Sequence, residues 1–216
     1  MNKDDQIMPS KKRGIICGLV ISGWILLGAI IITVNCLPLY WVLVRHYHWG
    51  QSLGLNDQAA FREYLRVWQF LNFPIRTTIG GHLALSAPAQ AHFKEVKYLV
   101  WGVYIGFIGI TALIKPVWRW SHDAYSLWLA RLVLRGVAGI SICLASLAIV
   151  DFNDFFVIFH QLLFRNQDWL FDPRRDQIIN LLPSYYFAIC FGLFFALFIG
   201  GILLGSWVLF TQRQRE

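Results

Sequence analysis

The sequence predicts an all-α polytopic membrane protein: four transmembrane helices and two extracytoplasmic segments that carry interfacial helices. Three observations predict it. Of the 216 residues, 57% are hydrophobic and only 14% charged, against an apolar share of roughly 45–50% in soluble domains. The apolar residues gather into four long runs, giving a mean hydropathy of +0.52. Ten tryptophans, eight tyrosines and seventeen phenylalanines suit a chain that meets the bilayer boundary, where aromatic rings keep one edge wet and one dry. Without a long repeat, linker or low-complexity stretch, residues 1–216 read as one membrane domain.

The first apolar run, Gly14 to Leu37, follows Lys11, Lys12 and Arg13 and stops at Pro38. It is longer than the roughly 7–15 apolar residues of a signal peptide, and no small-x-small cleavage site follows, so it reads as a retained span. The runs 96–117, 132–150 and 185–210 each approach or exceed the roughly 20 residues that cross a hydrocarbon core. Four spans put both termini on one side. Gly14 with Gly18, Gly102 with Gly106 and Gly201 with Gly205 stand at the spacing that lets helices approach closely in lipid. That spacing predicts packing within one bundle, and it leaves oligomeric state open.

Orientation follows lysine and arginine density beside the spans. Lys3, Lys11, Lys12 and Arg13 precede the first; Lys115, Arg119, Arg131 and Arg135 flank the turn between the second and third; Arg213 and Arg215 close the chain. These short segments are expected to face the cytoplasm. The outer segments, 45–95 and 151–184, hold eight of the twelve acids. The net charge of +7 is thus spread by membrane topology, and no nucleic-acid motif accompanies it. Cys17, Cys36, Cys143 and Cys190 all lie in apolar runs, where a thiol acts as a small hydrophobe; no disulfide framework or CxxC zinc site is implied.

In the first outer segment, Asn56 or Asp57 is positioned to cap a helix whose Ala60, Phe61, Tyr64, Leu65, Trp68 and Leu71 share one face, ending before Asn72-Phe73-Pro74. Its aromatics and arginines suit the bilayer surface. Gly80-Gly81 marks a turn, and Ser86-Ala87-Pro88 the cap and first turn of a helix that runs into the second span. His92 then stands about one helical turn above the membrane, with Glu95 on the same face. In the second outer segment, Phe152, Phe155, Phe156, Phe159, Leu162 and Leu163 make one apolar stripe of an interfacial helix, with His160 at its edge. A polar run follows: Asn166, Asp168, Trp169, Asp172, Pro173, Arg174, Arg175 and Asp176.

Histidines and carboxylates at the outer surface, rather than along a path through the spans, suggest an enzyme acting at that surface. Histidine both takes and gives a proton near neutral pH, so a pair facing one cleft suits acid and base catalysis. His46, His48, His82 and His122 read as interfacial, structural or cytoplasmic-turn residues. No G-x-S-x-G elbow, H-E-x-x-H helix or phosphate-binding loop is present. His92, Glu95 and His160 make a conceivable zinc set only by spacing, and no metal is expected. Asp172 and Asp176, four apart, read as solvated or paired with Arg174 and Arg175.

These residues carry a family resemblance. Phe159-His160, Leu163-Phe164, Asn166, Trp169, Asp172-Pro173, Asp176 and Ile178-Ile179 reproduce F-H-x-x-L/F-F-x-N-x-x-W-x-x-D-P-x-x-D-x-L/I-I, and His92, Glu95, Val96 and Lys97 reproduce H-x-x-D/E-V-K leading into the second span. Both motifs resemble the bacterial lipoprotein intramolecular transacylases, Lit, over nearly the whole chain. The sequence departs from the pattern at Ala87-Pro88-Ala89-Gln90, where many members are acidic.

The resemblance implies a bacterial cell-membrane enzyme with its active site on the extracytoplasmic side. Its substrate would be a lipoprotein carrying a diacylglyceryl group on its N-terminal cysteine. It would move the sn-2 acyl chain to the cysteine α-amine, giving the lyso form. An ester becomes an amide, so no cofactor is expected; proximity of donor and acceptor in one molecule supplies much of the rate. The expected catalytic pair is His92 and His160, with Glu95, Lys97, Asn166, Asp168, Trp169, Asp172 and Asp176 binding or orienting. Partners are the lipoprotein and membrane lipid, not nucleic acid. The alternative is a non-enzymatic accessory or docking protein for lipoproteins; a transporter fits less well because the spans carry almost no charge beyond Arg135.

Overall fold

The computed structural model describes residues 9–121 and 123–213. Lys3, His122 and Arg215, named above, lie outside the described residues. Seven α-helices and no strand occur among the described residues: α1 (Ser10–Val34), α2 (Leu37–Tyr47), α3 (Asp57–Asn72), α4 (Ala87–Trp120), α5 (Ala124–Val150), α6 (Phe152–Leu163) and α7 (Ser184–Arg213). Four of them, α1, α4, α5 and α7, are long and apolar enough to cross a membrane, matching the four expected spans. Proline opens α2 rather than only ending α1. Pro38 occupies the first helical positions, where its missing N–H has no partner to lose. The apolar run read as one span therefore breaks at 35–36.

The chain divides into two compact units. The first comprises Met1–Ile31, Val103–Leu147 and Gly192–Glu216. Its core joins Cys17, Ala130, Leu134, Phe198 and Ile202. Close helix approach explains its small residues. A Cβ at Gly14 would stand 2.6 Å from the Ser126 carbonyl oxygen, and one at Gly18 2.7 Å from the Val133 Cβ. The α1–α5 contact is also polar at one end: Arg13 pairs with Asp123 at 3.2 Å, and Asp123 accepts from the Ser126 hydroxyl and backbone N–H.

The second unit, Ile32–Gly102 and Ala148–Phe191, holds both outer segments. Its core centres on Tyr40, fully buried, whose ring stacks on Tyr64 with centroids 3.6 Å apart and whose hydroxyl donates to the Leu181 carbonyl at 2.9 Å. Asn56 caps α3, accepting from the Ala59 N–H at 2.8 Å, and α3 runs through Asn72, one residue past its expected end. Its buried line is Ala60, Glu63, Tyr64, Val67 and Phe70, rotated from the expected face. Leu65 and Leu71 are half-buried, while Val67 and Phe70 face the Tyr40 core, because α3 packs on protein across a broader arc than its most apolar residues define. Gly80 and Gly81 adopt φ of 66° and 107°, a region that favours glycine.

Two caps set the elements that carry the histidines. Ser86 accepts from the Ala89 N–H at 3.3 Å to start α4, with Pro88 in the first turn. Asp151 accepts from the Asp154 N–H at 3.0 Å to start α6. In α6 only His160 is buried.

Candidate functional site

α4 and α6 bring His92 and His160 together. Their ring centroids lie 5.8 Å apart, and the residues are only 6% and 8% exposed. Aromatic rings hold both. His92 meets Phe164 edge-on at 4.6 Å and Phe171 at 5.6 Å; His160 lies 4.0 Å from Phe156 and 5.0 Å from Trp169.

Hydrogen bonding distinguishes the two rings. His160 Nδ1 lies 2.8 Å from the Phe156 carbonyl oxygen, one helical turn back. A carbonyl only accepts, so Nδ1 carries the hydrogen and Nε2 keeps its lone pair. Burial pushes the pKa of His160 below its ordinary 6.5, opposed by that bond. The ring is therefore neutral near pH 7 and able to take a proton at Nε2. His92 Nδ1 is buried and has no hydrogen-bond partner among the described residues. An unpaired buried nitrogen costs free energy unless a ligand supplies a partner.

Both histidines line a cavity of about 570 Å³. Its wall is mostly apolar, with Phe159, Leu163 and Phe191 on one part and Val67, Leu71 and Val96 on another. Among the described residues, no aspartate, glutamate, lysine or arginine lines it. Tyr64 and Tyr186 also contribute, their hydroxyls 2.9 Å apart; burial raises the Tyr64 phenol to about 12, so it remains protonated near neutral pH. A space of this size and polarity admits an alkyl chain, and the two imidazoles supply the basic nitrogens in its wall.

The remaining expected residues fall around this cavity in distinct ways. Asn166 donates from Nδ2 to Glu95 Oε1 at 2.8 Å, accepts from the Asp168 N–H at 3.1 Å, and its carbonyl accepts from the Trp169 indole at 3.0 Å. The segment after α6 is thus tied to α4, and the indole is fixed against His160. Lys97 Nζ donates to the carbonyls of Phe73 and Arg76 at 2.9 and 2.6 Å, closing the turn after α3. Asp176 accepts from the Ser86 N–H at 2.7 Å and the Asp172 N–H at 3.3 Å, while Asp172 accepts from the Arg174 N–H at 3.0 Å. These two aspartates fasten the loop before α7 to the start of α4. No cluster of three histidines, cysteines or carboxylates suited to a metal occurs among the described residues. His48 pairs with Asp57 at 3.0 Å, away from the cavity wall.

Sequence reasoning did not find Phe156, Phe164, Phe171, Tyr64 and Tyr186 as site residues. The first acts through its carbonyl oxygen, which a side-chain pattern does not reveal; the others look like ordinary core aromatics until the cavity is seen.

The family model described as lipoprotein intramolecular transacylase Lit matches residues 15–187. The solved structure of the membrane-integral lipoprotein intramolecular transacylase Lit from Bacillus cereus is similar, with a TM-score of 0.85 at 19% identity, covering 96% of this chain and 98% of that one. Two variants of that protein, with one histidine replaced by arginine or by alanine, are similar with TM-scores of 0.79 at 18% identity; each covers 95% of this chain, and 92% and 94% of theirs. No curated protein matches the chain.

Proposed function

Because the chain belongs to the lipoprotein intramolecular transacylase family Lit and is a multi-pass membrane protein, we propose that it transfers an acyl chain within a diacylglyceryl-modified lipoprotein. The chain moves from the glyceryl sn-2 oxygen to the α-amine of the N-terminal cysteine, on the extracytoplasmic face. One observation carries this reading: two buried imidazoles 5.8 Å apart in an apolar cavity large enough for an acyl chain.

His160 is the base. An α-amine with a pKa of about 7.7–8 is mostly protonated at neutral pH and must lose a proton before it attacks. Nε2 of His160 takes that proton, its Nδ1–H being held by Phe156. The amine lone pair then forms a C–N bond to the ester carbonyl carbon. Collapse of the tetrahedral intermediate breaks the C–O bond to the glyceryl oxygen, which leaves as an alcohol with the second proton that the nitrogen sheds on becoming an amide, and His160 returns the first proton to water. His92 donates a hydrogen bond to the developing oxyanion or carries that second proton from the nitrogen to the glyceryl oxygen; the reactant would also partner its otherwise unpaired nitrogen. Amine, ester and both imidazoles share one pocket, so attack is intramolecular. The ring of Trp169 and the Glu95–Asn166 bond keep the base in place, whereas Lys97, Asp172 and Asp176 hold the loops that frame the pocket. Asp168 contributes its backbone N–H to the same turn.

The product is an isomer of the substrate, so total mass does not report the reaction. Purified protein incubated with a synthetic diacylglyceryl lipopeptide should yield a product whose amine no longer reacts with an amine-specific reagent, and whose fragments place one acyl chain on nitrogen. A substrate recovered with its amine free would favour docking over catalysis.

A further inference from the structure

A second cavity, of about 500 Å³, adjoins the first: Phe164, Trp169 and Leu170 line both. Its character is different. Gln161, Arg165, Asn166 and Gln167 contribute to its wall, and Gln161, Arg165 and Gln167 are exposed. One wall of the apolar cavity, the Trp169 ring held by Asn166 against His160, is therefore also a wall of a cavity half of whose lining residues are polar.

The substrate has the same division. Its acyl chains suit the first cavity, but the reacting amine belongs to a cysteine whose carbonyl continues into a peptide. Peptide N–H and C=O groups lose free energy where they lack partners, and the wall of the histidine cavity is mostly apolar. They must leave it within a residue or two of the cysteine. Primary amides such as Gln161 and Gln167 both donate and accept, which matches a peptide backbone irrespective of its side chains.

We propose that the second cavity holds the first peptide units after the modified cysteine, an inference that rests on the transacylase reading above. Trp169 then separates the lipid from the peptide while packing on the base, so peptide binding presents the amine to His160. The side chains involved recognise backbone rather than sequence, which suits an enzyme acting on many lipoproteins.

The test compares two substrates with one lipid: diacylglyceryl-cysteine amide, and the same cysteine extended by three residues. The wild-type enzyme should show a higher kcat/KM on the extended substrate. In a Gln161→Ala/Arg165→Ala/Gln167→Ala variant that preference should fall by roughly tenfold, as expected for losing one or two hydrogen bonds. All three side chains are exposed, and thermal unfolding in detergent checks that the variant is folded; Gln167→Glu, which keeps an acceptor and loses a donor, should give a smaller fall. A wild-type enzyme indifferent to extension, or a folded triple variant that keeps the preference, would overturn the peptide site alone. If neither substrate is converted by the wild type, the transacylase reading fails and the peptide site fails with it.

Discussion

Asn166 donates a hydrogen bond to Glu95 at 2.8 Å, joining the segment that follows α6 to the helix that carries His92. The same asparagine holds the Trp169 indole, which packs on His160. Separation of the two imidazoles therefore depends on one amide.

Asn166→Ala should lower kcat about ten- to a hundredfold with a smaller change in KM, since a hydrogen bond to a charged group contributes about 1.5–3 kcal/mol. Glu95→Gln keeps an acceptor for Asn166 and should retain most activity; Glu95→Ala should not. Steady-state kinetics on a lipopeptide check the ordering, and equal losses in the glutamine and alanine variants would contradict it.

The acid limb of the pH–rate profile should reflect His160. Burial lowers its pKa below 6.5, and the neutral ring is the base, so kcat is expected to hold as pH falls through 6.5 and to decline only below it. Stability has the same sign: the unfolded chain gains a proton near pH 6.5 before the folded one does, so stability falls as pH drops below that value. Profiles of kcat and of thermal unfolding against pH check both. A limb above pH 7 that disappears in His160→Ala would contradict the burial argument.

Tyr40→Ala should destabilise the second unit by about 3–5 kcal/mol, in the range for removing a buried aromatic side chain, because it removes the ring stacked on Tyr64 and the bond to Leu181. Tyr40→Phe keeps the ring and should cost about 1 kcal/mol. Denaturation in detergent micelles distinguishes them.

Gly81→Ala should destabilise by about 1–3 kcal/mol. The position has φ of 107°, and a Cβ there would collide with the Glu63 carboxylate. Gly54→Ala has a positive φ but open space around it, and should cost less; comparing the two melting temperatures checks the steric contribution.

Much of this was legible in the sequence because it is written in local pattern. Long apolar runs mark the four spans, Asn56 and Ser86 mark helix starts, and the phenylalanine stripe marks α6. Pro38 misled, because a proline that ends one helix and a proline that begins the next look alike without the backbone. The face of α3 was legible only in part: Val67 and Phe70 are no more hydrophobic than Leu65 and Leu71, and their burial is decided by where Tyr40 and Tyr186 sit. His92 and His160 stand 68 positions apart in the chain, and helical spacing places each on a face without saying that the faces meet. The Phe156 carbonyl, which sets the tautomer of His160, leaves no trace in side-chain pattern.

The most direct test of the central claim uses bacterial cells that make diacylated lipoproteins but lack this protein. Fragmentation mass spectrometry of lipoprotein N-termini should find lyso-form lipoprotein when the wild-type protein is supplied. His92→Ala and His160→Ala, inserted at normal levels, should each lower conversion by at least about a hundredfold, within the range for loss of a general acid or base. Lyso-form product at wild-type levels from a protein lacking both imidazoles would contradict the account.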